Sequence, residues 1–172
     1  DQVGAVLAKA RSTRLALLKG GHAAAELVLT RLCADVSKLF YQLRLNGDRV
    51  KNEHLQQFDT DLREAVQLVA GGDLPDTAWE QCALGTSKGG LGMRTATQVS
   101  LAAFVASRVC SRPHVREMAT HLAERGLGGT GVIMAAYDQS TDEAAARLAF
   151  SLPPTEGGLL VATLSEALAE TE

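Results

Sequence analysis

The 172 residues combine 46% hydrophobic with 22% charged side chains at a formal net charge of -3, which fits a globular protein of one domain or two small ones. Three cysteines (Cys33, Cys82 and Cys110) stand far apart with no CxxC pair, which excludes a disulfide framework or a zinc ribbon and points to free, buried thiols in a reducing, intracellular compartment. No apolar run reaches the ~18 residues needed to cross a bilayer, and no signal peptide is recognisable.

Abundant alanine and leucine with only four prolines favour helices, and 4% aromatic residues leave a mostly aliphatic core. The first helix is predicted over 2–19, with Val3, Val6, Leu7, Ala10, Leu17 and Leu18 facing inward and Gly20-Gly21 ending it. A second, over 22–45, carries Leu29, Cys33, Val36, Phe40 and Leu43 as one stripe, with Arg31, Lys38 and Arg44 off it. After the turn signal Asn46-Gly47-Asp48 comes a third, over about 50–70, with Leu55, Phe58, Leu62, Ala65 and Val69 inward, stopped by Gly71-Gly72. Thr77-x-x-Glu80 reads as a capping box for a short helix to about Leu84, anchored by Trp79.

The stretch Leu84–Arg94 holds Gly89, Gly90 and Gly92, which predicts a compact irregular turn. Leu91 and Met93 alternate with glycines, so a short extended piece presses both side chains onto the domain. Thr95-x-x-Gln98 reads as the capping box of a helix over 95–111, whose segment Leu101–Ala106 is apolar nearly all round and expected to be central. Pro113 marks the start of a new helix, with Val115, Met118, Ala119 and Leu122 inward as far as about Arg125. Gly126–Gly131 is a link, 132–138 is ambiguous between strand and helix, Ser140-x-x-Glu143 caps a helix to about Phe150, and Pro153-Pro154 separates it from a last helix over about 158–169. The expected fold is all-α: an irregular bundle of about seven to eight helices with a glycine-rich turn. Residues 1–125 form its main body and 126–172 a smaller acidic unit.

Charge is uneven. Residues 1–52 carry a net +5, residues 53–137 a net -2, and residues 138–172 a net -6. The basic first third suits phosphate and the acidic tail does not. The nucleic-acid-contacting candidates are Lys9, Arg11, Arg14, Lys19, Arg44, Lys88 and Arg94. No aromatic platform interleaves the basic residues, so they point to backbone contact rather than base reading.

Other constellations read as structural. Gly126-x-Gly128-x-x-Gly131 has the spacing of a dinucleotide fingerprint, but a helix precedes it where a strand is needed, so it is a hinge. His114, Glu117 and His121, with Cys110 beyond Pro113, share a helical face whose spacing does not enforce a zinc geometry. Asp59, Asp61 and Glu64 read as a solvated face, and no GxSxG elbow occurs. No catalytic, cofactor or metal residue is therefore assigned, and an enzyme is not expected.

Several segments in order resemble a known family: Leu29-Thr-Arg-Leu-Cys33, Leu39-Phe-Tyr-Gln-Leu-Arg44, Gln57-Phe-Asp59, Trp79-Glu-Gln-Cys82-Ala-Leu, Lys88-Gly-Gly-Leu-Gly-Met-Arg94 and Ala102-Ala-Phe-Val-Ala-Ser107. Over about residues 22–110 the chain resembles the segment that follows the palm in reverse transcriptases of non-LTR retrotransposons. The resemblance implies a thumb-like or connecting region that packs beside a template–primer duplex. The paired aspartates of the polymerase box are absent, since a palm would lie before Asp1, and so is a cysteine–histidine knuckle. A start at Asp1 rather than Met reads as a piece of a longer or processed protein. The partners implied are nucleic-acid backbone, and other protein chains or the rest of a longer parent. The alternative is an accessory or scaffold subunit, derived from a retroelement, that binds no nucleic acid.

Overall fold

A computed structural model describes residues 2–153, 156–158, 160, 162, 163 and 166. The described residues form seven α-helices and no strand: α1 Gln2–Leu17, α2 Ala23–Cys33, α3 Phe40–Asn46, α4 Asn52–Ala70, α5 Asp76–Ala83, α6 Ala96–Glu124 and α7 Thr130–Ser151. Two 3-10 turns, Val36–Lys38 and Thr86–Lys88, sit between them. Most of the predicted last helix lies outside the described residues. The chain divides into two compact units, the first comprising 1–43 with 49–100 and the second 44–48 with 101–172. The division falls inside α6.

In the first unit α1, α2 and α4 pack on one another. The stripe of α4 is the one its periodicity predicts: Leu55, Phe58, Leu62 and Ala65 are buried, joined by Val66, while Val69 is half-buried. Gly71 ends α4 in the left-handed region at φ 75°, and the amides of Gly71 and Gly72 return to Leu68 O and Gln67 O, satisfying carbonyls that the helix leaves open. Among the described side chains of α1, Ala10 and Arg14 are the buried ones.

The helix expected over 22–45 is broken. Asp35 is 1% exposed and extended, and its Oδ1 accepts from the Ser37 amide at 2.8 Å. A carboxylate that takes a backbone amide two residues on offers the chain an alternative to the helical bond. The chain leaves α2 at Ala34, makes the 3-10 turn and re-enters a helix at Phe40. On α2 Glu26 and Thr30 are buried and Leu29 is exposed, against the predicted stripe, although Val36 and Leu43 are buried. Glu26 accepts from the Gly21 amide at 2.8 Å and so holds the α1–α2 turn.

The capping boxes form differently from their sequence patterns. Helix α5 starts at Asp76, one residue before Thr77, after Pro75 and with no side-chain cap. Helix α6 is capped neither by Thr95 nor by Gln98 but from across the fold: Asp59 accepts from the amides of Ala96 (2.5 Å) and Thr97 (3.1 Å) and from the Thr97 hydroxyl (2.6 Å). A carboxylate at a helix N-terminus satisfies open amides and meets the positive end of the macrodipole. Asp59 is thus a structural acid, and Asp61 pairs with Arg11 at 3.9 Å, so of the predicted solvated face only Glu64 remains exposed.

In the second unit α6 and α7 join through the turn at 125–129. Ser140 lies inside α7, its hydroxyl donating to Tyr137 O at 3.0 Å, so the predicted start there does not exist and 132–138 is helical. Pro113 lies inside a continuous α6. Buried anchors on either side, Arg112 paired with Asp138 at 2.9 Å and Ala119 in the packed face, hold the helix through the missing amide. Phe104, Val105, Ala144, Ala145 and Leu148 form the core of this unit; Ala102 and Ala106 are exposed, so the apolar run is half core and half surface. Beside that core Arg108 lies over the Tyr137 ring at 3.3 Å and donates to Thr141 Oγ1 at 3.1 Å and to Tyr137 O at 2.6 Å. Cys82 is buried, Cys33 half-buried and Cys110 exposed, all as free thiols.

Candidate nucleic-acid interface

The glycine loop is built on the carbonyls at the end of α5. Leu91 and Met93 both donate to Cys82 O, at 3.2 and 3.0 Å, and Gly92 donates to Leu84 O at 2.8 Å. The Thr86–Lys88 turn is closed by Lys88 N to Gly85 O at 2.8 Å and exits through Gly89 at φ 76°. Gly90 is the crowded position: a Cβ there would lie 2.5 Å from Gln81 O and closer still to Leu84 O. The alternation of Leu91 and Met93 does what its pattern predicts. Met93 is fully buried with Val66 and Cys82, and Leu91 and Trp79 pack on that cluster. Burial pushes the Cys82 thiol pKa up, as expected for an acid whose charged form loses solvation.

The loop leads to Arg94, whose side chain is 50% exposed. Its Nη2 meets Asp35 Oδ2 at 3.2 Å and its guanidinium lies 5.1 Å from the centre of the Phe40 ring. Opposite, Arg31 lies on Gly92. That glycine has φ +69°, and its missing Cβ would sit 3.1 Å from Nη2 and 3.2 Å from both Cζ and Nε of Arg31. Near-equal distances to three guanidinium atoms mean that the flat face of Arg31 rests on the loop backbone. Arg31 and Arg94, with Ser37, Gly85 and Gly92, line an open cleft of about 480 Å³.

The candidate residues fare unequally. Lys9, Lys19, Arg44 and Lys88 stand exposed on separate elements. Arg11 is exposed but paired loosely with Asp61. Arg14 is 2% exposed and must be removed from any surface set. Its Nε donates to Ala34 O at 2.9 Å, its Nη1 to Phe58 O at 3.4 Å, and its guanidinium sits 4.1 Å from the centre of the Phe58 ring. Burial pushes its pKa down to about 10, against the nearby charges of Asp61, Asp59 and Asp35, which hold it up. It is a core residue because its long stem continues the inward face of α1 from Ala10 at helical spacing. Sequence reasoning counted Arg31 among the basic residues without giving it a site. The pairing of Arg94 with Asp35 spans 59 positions and has no local signature.

Gly126–Gly131 is a helix-to-helix turn, with Gly126 at φ 71° and Gly128 at φ 117°. His121 pairs with Glu124 at 3.3 Å. Among the described residues, no three of His, Cys, Asp and Glu gather as a metal-binding group, and no helix is long and apolar enough to cross a membrane. The chain matches no protein-family model, no curated protein and no solved structure.

Proposed function

We propose that this chain is a non-catalytic helical support element, akin to the region after the palm of non-LTR retrotransposon reverse transcriptases, that touches nucleic acid through its phosphate backbone. The glycine loop carries the reading. The stretch Lys88–Arg94 that bears the resemblance also presents an exposed lysine at one end and, at the other, a half-exposed arginine backed by a buried carboxylate and an aromatic ring. Guanidinium groups held by a second contact lose less freedom on meeting a phosphate. The test is binding of a labelled primed duplex between 50 and 300 mM salt, roughly the range over which each phosphate contact adds about -0.9 to the log–log slope. A negative slope of several units is expected. A flat salt response, or no binding at low salt, refutes nucleic-acid contact; nucleotide incorporation by the chain alone refutes the non-catalytic part.

A second reading, an accessory subunit within a protein assembly, is favoured by apolar side chains left in solvent. Phe150 is 94% exposed and Val132 75%, while Val28 and Leu32 stand out on α2 and Tyr41 on α3. Val28 and Leu32, four residues apart on α2, form one exposed apolar face of the kind that marks protein contact. Stoichiometric co-purification with a protein partner, unaffected by nuclease, together with absent duplex binding would establish this reading over the first.

A further inference from the structure

The cleft between α2, the Val36–Lys38 turn and the glycine loop holds two guanidiniums in different states. Arg94 is engaged from behind by Asp35 and Phe40, with half its side chain in solvent. Arg31 is exposed, and among the described residues nothing accepts a hydrogen bond from it or pairs with it. Its face is occupied by Gly92, so its N–H edges are the part left to bind. The one acid in the wall, Asp35, has both oxygens in use, Oδ1 by the Ser37 amide and Oδ2 by Arg94. The lining therefore carries two positive charges against one buried negative charge that is already committed. Ser37 adds an exposed hydroxyl, and Gly85 leaves the backbone open to close approach. Exposed Lys38 and Lys88 stand on two of the three elements that wall the cleft.

We infer that this cleft is a phosphate site, in which the edges of Arg31 and Arg94 hold one phosphodiester group of a nucleic-acid strand. Planar forks of N–H donors suit the tetrahedral oxygens of phosphate and bind them in pairs. The lysines beyond the cleft suit an anion that repeats along a strand rather than a single carboxylate. The inference rests on the nucleic-acid reading for the source of the phosphate. It goes further by making Arg31, outside the basic set assigned from sequence, the central contact. Gly92 becomes a positioning residue, because a side chain at that position lifts Arg31 off the loop.

Two measurements test it. The first follows the Arg31 Nε–H and the Gly92 amide by NMR while inorganic phosphate is added to the intact chain, with sodium acetate and a glutamate-rich peptide as comparisons. Saturable shifts with phosphate that exceed those with both carboxylate ligands, and that Gly92→Ala abolishes at the Arg31 Nε–H, are expected. No shift with phosphate, or equal shifts with the carboxylates, overturns the inference. The second measures duplex binding by Arg31→Gln and Arg31→Lys. Arg31 is exposed and unpaired, so both variants are expected to fold with an unchanged Trp79 emission and urea midpoint. Arg31→Gln lowers the salt slope by about 0.9 and weakens binding alike on unrelated sequences, while Arg31→Lys restores the slope. Wild-type binding with no change of slope in Arg31→Gln overturns the cleft and leaves the functional reading standing. Phosphate shifts without duplex binding support the phosphate site and overturn the functional reading.

Discussion

Replacing Gly90 by alanine adds a single methyl group at the point where the loop crosses the end of α5. That methyl would sit 2.5 Å from Gln81 O and nearer to Leu84 O, both of them backbone, so no side-chain rotation relieves the overlap. The loop must move away from α5. Three hydrogen bonds then stretch or break, from Leu91, Gly92 and Met93 to the carbonyls of Cys82 and Leu84. At about 1 kcal/mol each they account for ~3 kcal/mol, and partial exposure of the fully buried Met93 raises the loss to ~3–5 kcal/mol. Gly89 is the internal comparison. It has φ +76° but open space around it, so Gly89→Ala loses only ~1 kcal/mol of backbone strain. Lys88→Ala, on the same turn and exposed, stays within about 0.5 kcal/mol of wild type. Urea unfolding read by the fluorescence of Trp79, the only tryptophan and a neighbour of Met93, reports on this unit directly. A loss for Gly90→Ala within 1 kcal/mol of that for Gly89→Ala would refute the clamp.

Three further substitutions probe the long-range contacts. Asp59→Ala strips the start of α6 of its three acceptor contacts and is expected to lower stability by ~2 kcal/mol, with Asp59→Asn losing less; an Asp59→Ala midpoint equal to wild type would show that α6 starts without the cap. Burial pushes the Arg14 pKa down from its ordinary value to about 10, so folding disfavours its charged form, a burden present throughout the range below pH 10 and relieved only as pH rises through 10. Arg14→Met, similar in length and uncharged, is therefore expected to match or exceed wild-type stability at pH 7, whereas Arg14→Ala leaves a void and loses ~2–3 kcal/mol; equal losses in the two urea titrations would mean that the bonds to Ala34 O and Phe58 O outweigh burial of the charge. Pro113→Ala restores a helical amide inside α6 and is expected to stabilise by ~1–2 kcal/mol after allowing for the freer unfolded chain, and a lower melting point by circular dichroism would show that the second unit depends on the proline.

The contrast between α4 and α2 explains what a reader of this sequence can see. The inward face of α4 repeats at three and four residues, its end is marked by two glycines, and nothing polar on that face competes with the backbone. Periodicity alone places it. The stretch 22–45 has an equally regular stripe, but Asp35 interrupts it with one side-chain bond, and the preference of a carboxylate for a nearby amide is local chemistry that a count of apolar positions ignores. The glycine loop was legible because its glycines and its alternating Leu91 and Met93 act locally. The cap on α6 was not, because Thr95 and Gln98 offer a plausible local answer while the actual acceptor lies 37 residues away. Pro113 misled for a related reason: its local preference is real, and the packing on both sides of it in the second unit is stronger.

The same contrast bears on the candidate site. Seven basic residues chosen for charge alone include one that the fold buries and several exposed on separate elements, because net charge says nothing about which way a side chain faces. What distinguishes Arg31 and Arg94 is the support behind them. Arg94 needs Asp35, and Asp35 is available only because it broke the helix and turned inward. Arg31 needs Gly92, whose missing Cβ leaves room for the guanidinium and whose positive φ favours glycine at that point of the loop. The departure of α2 from its regular stripe and the irregularity of the glycine loop thus meet at one cleft. Each is a local loss of regular structure, and together they hold two guanidiniums in place with a common opening to solvent. Restoring helix across the break with Asp35→Ala should therefore weaken duplex binding even though it removes a negative charge from the cleft wall. Tighter binding by that variant would show that the cleft acts through net charge rather than through the placement of its arginines.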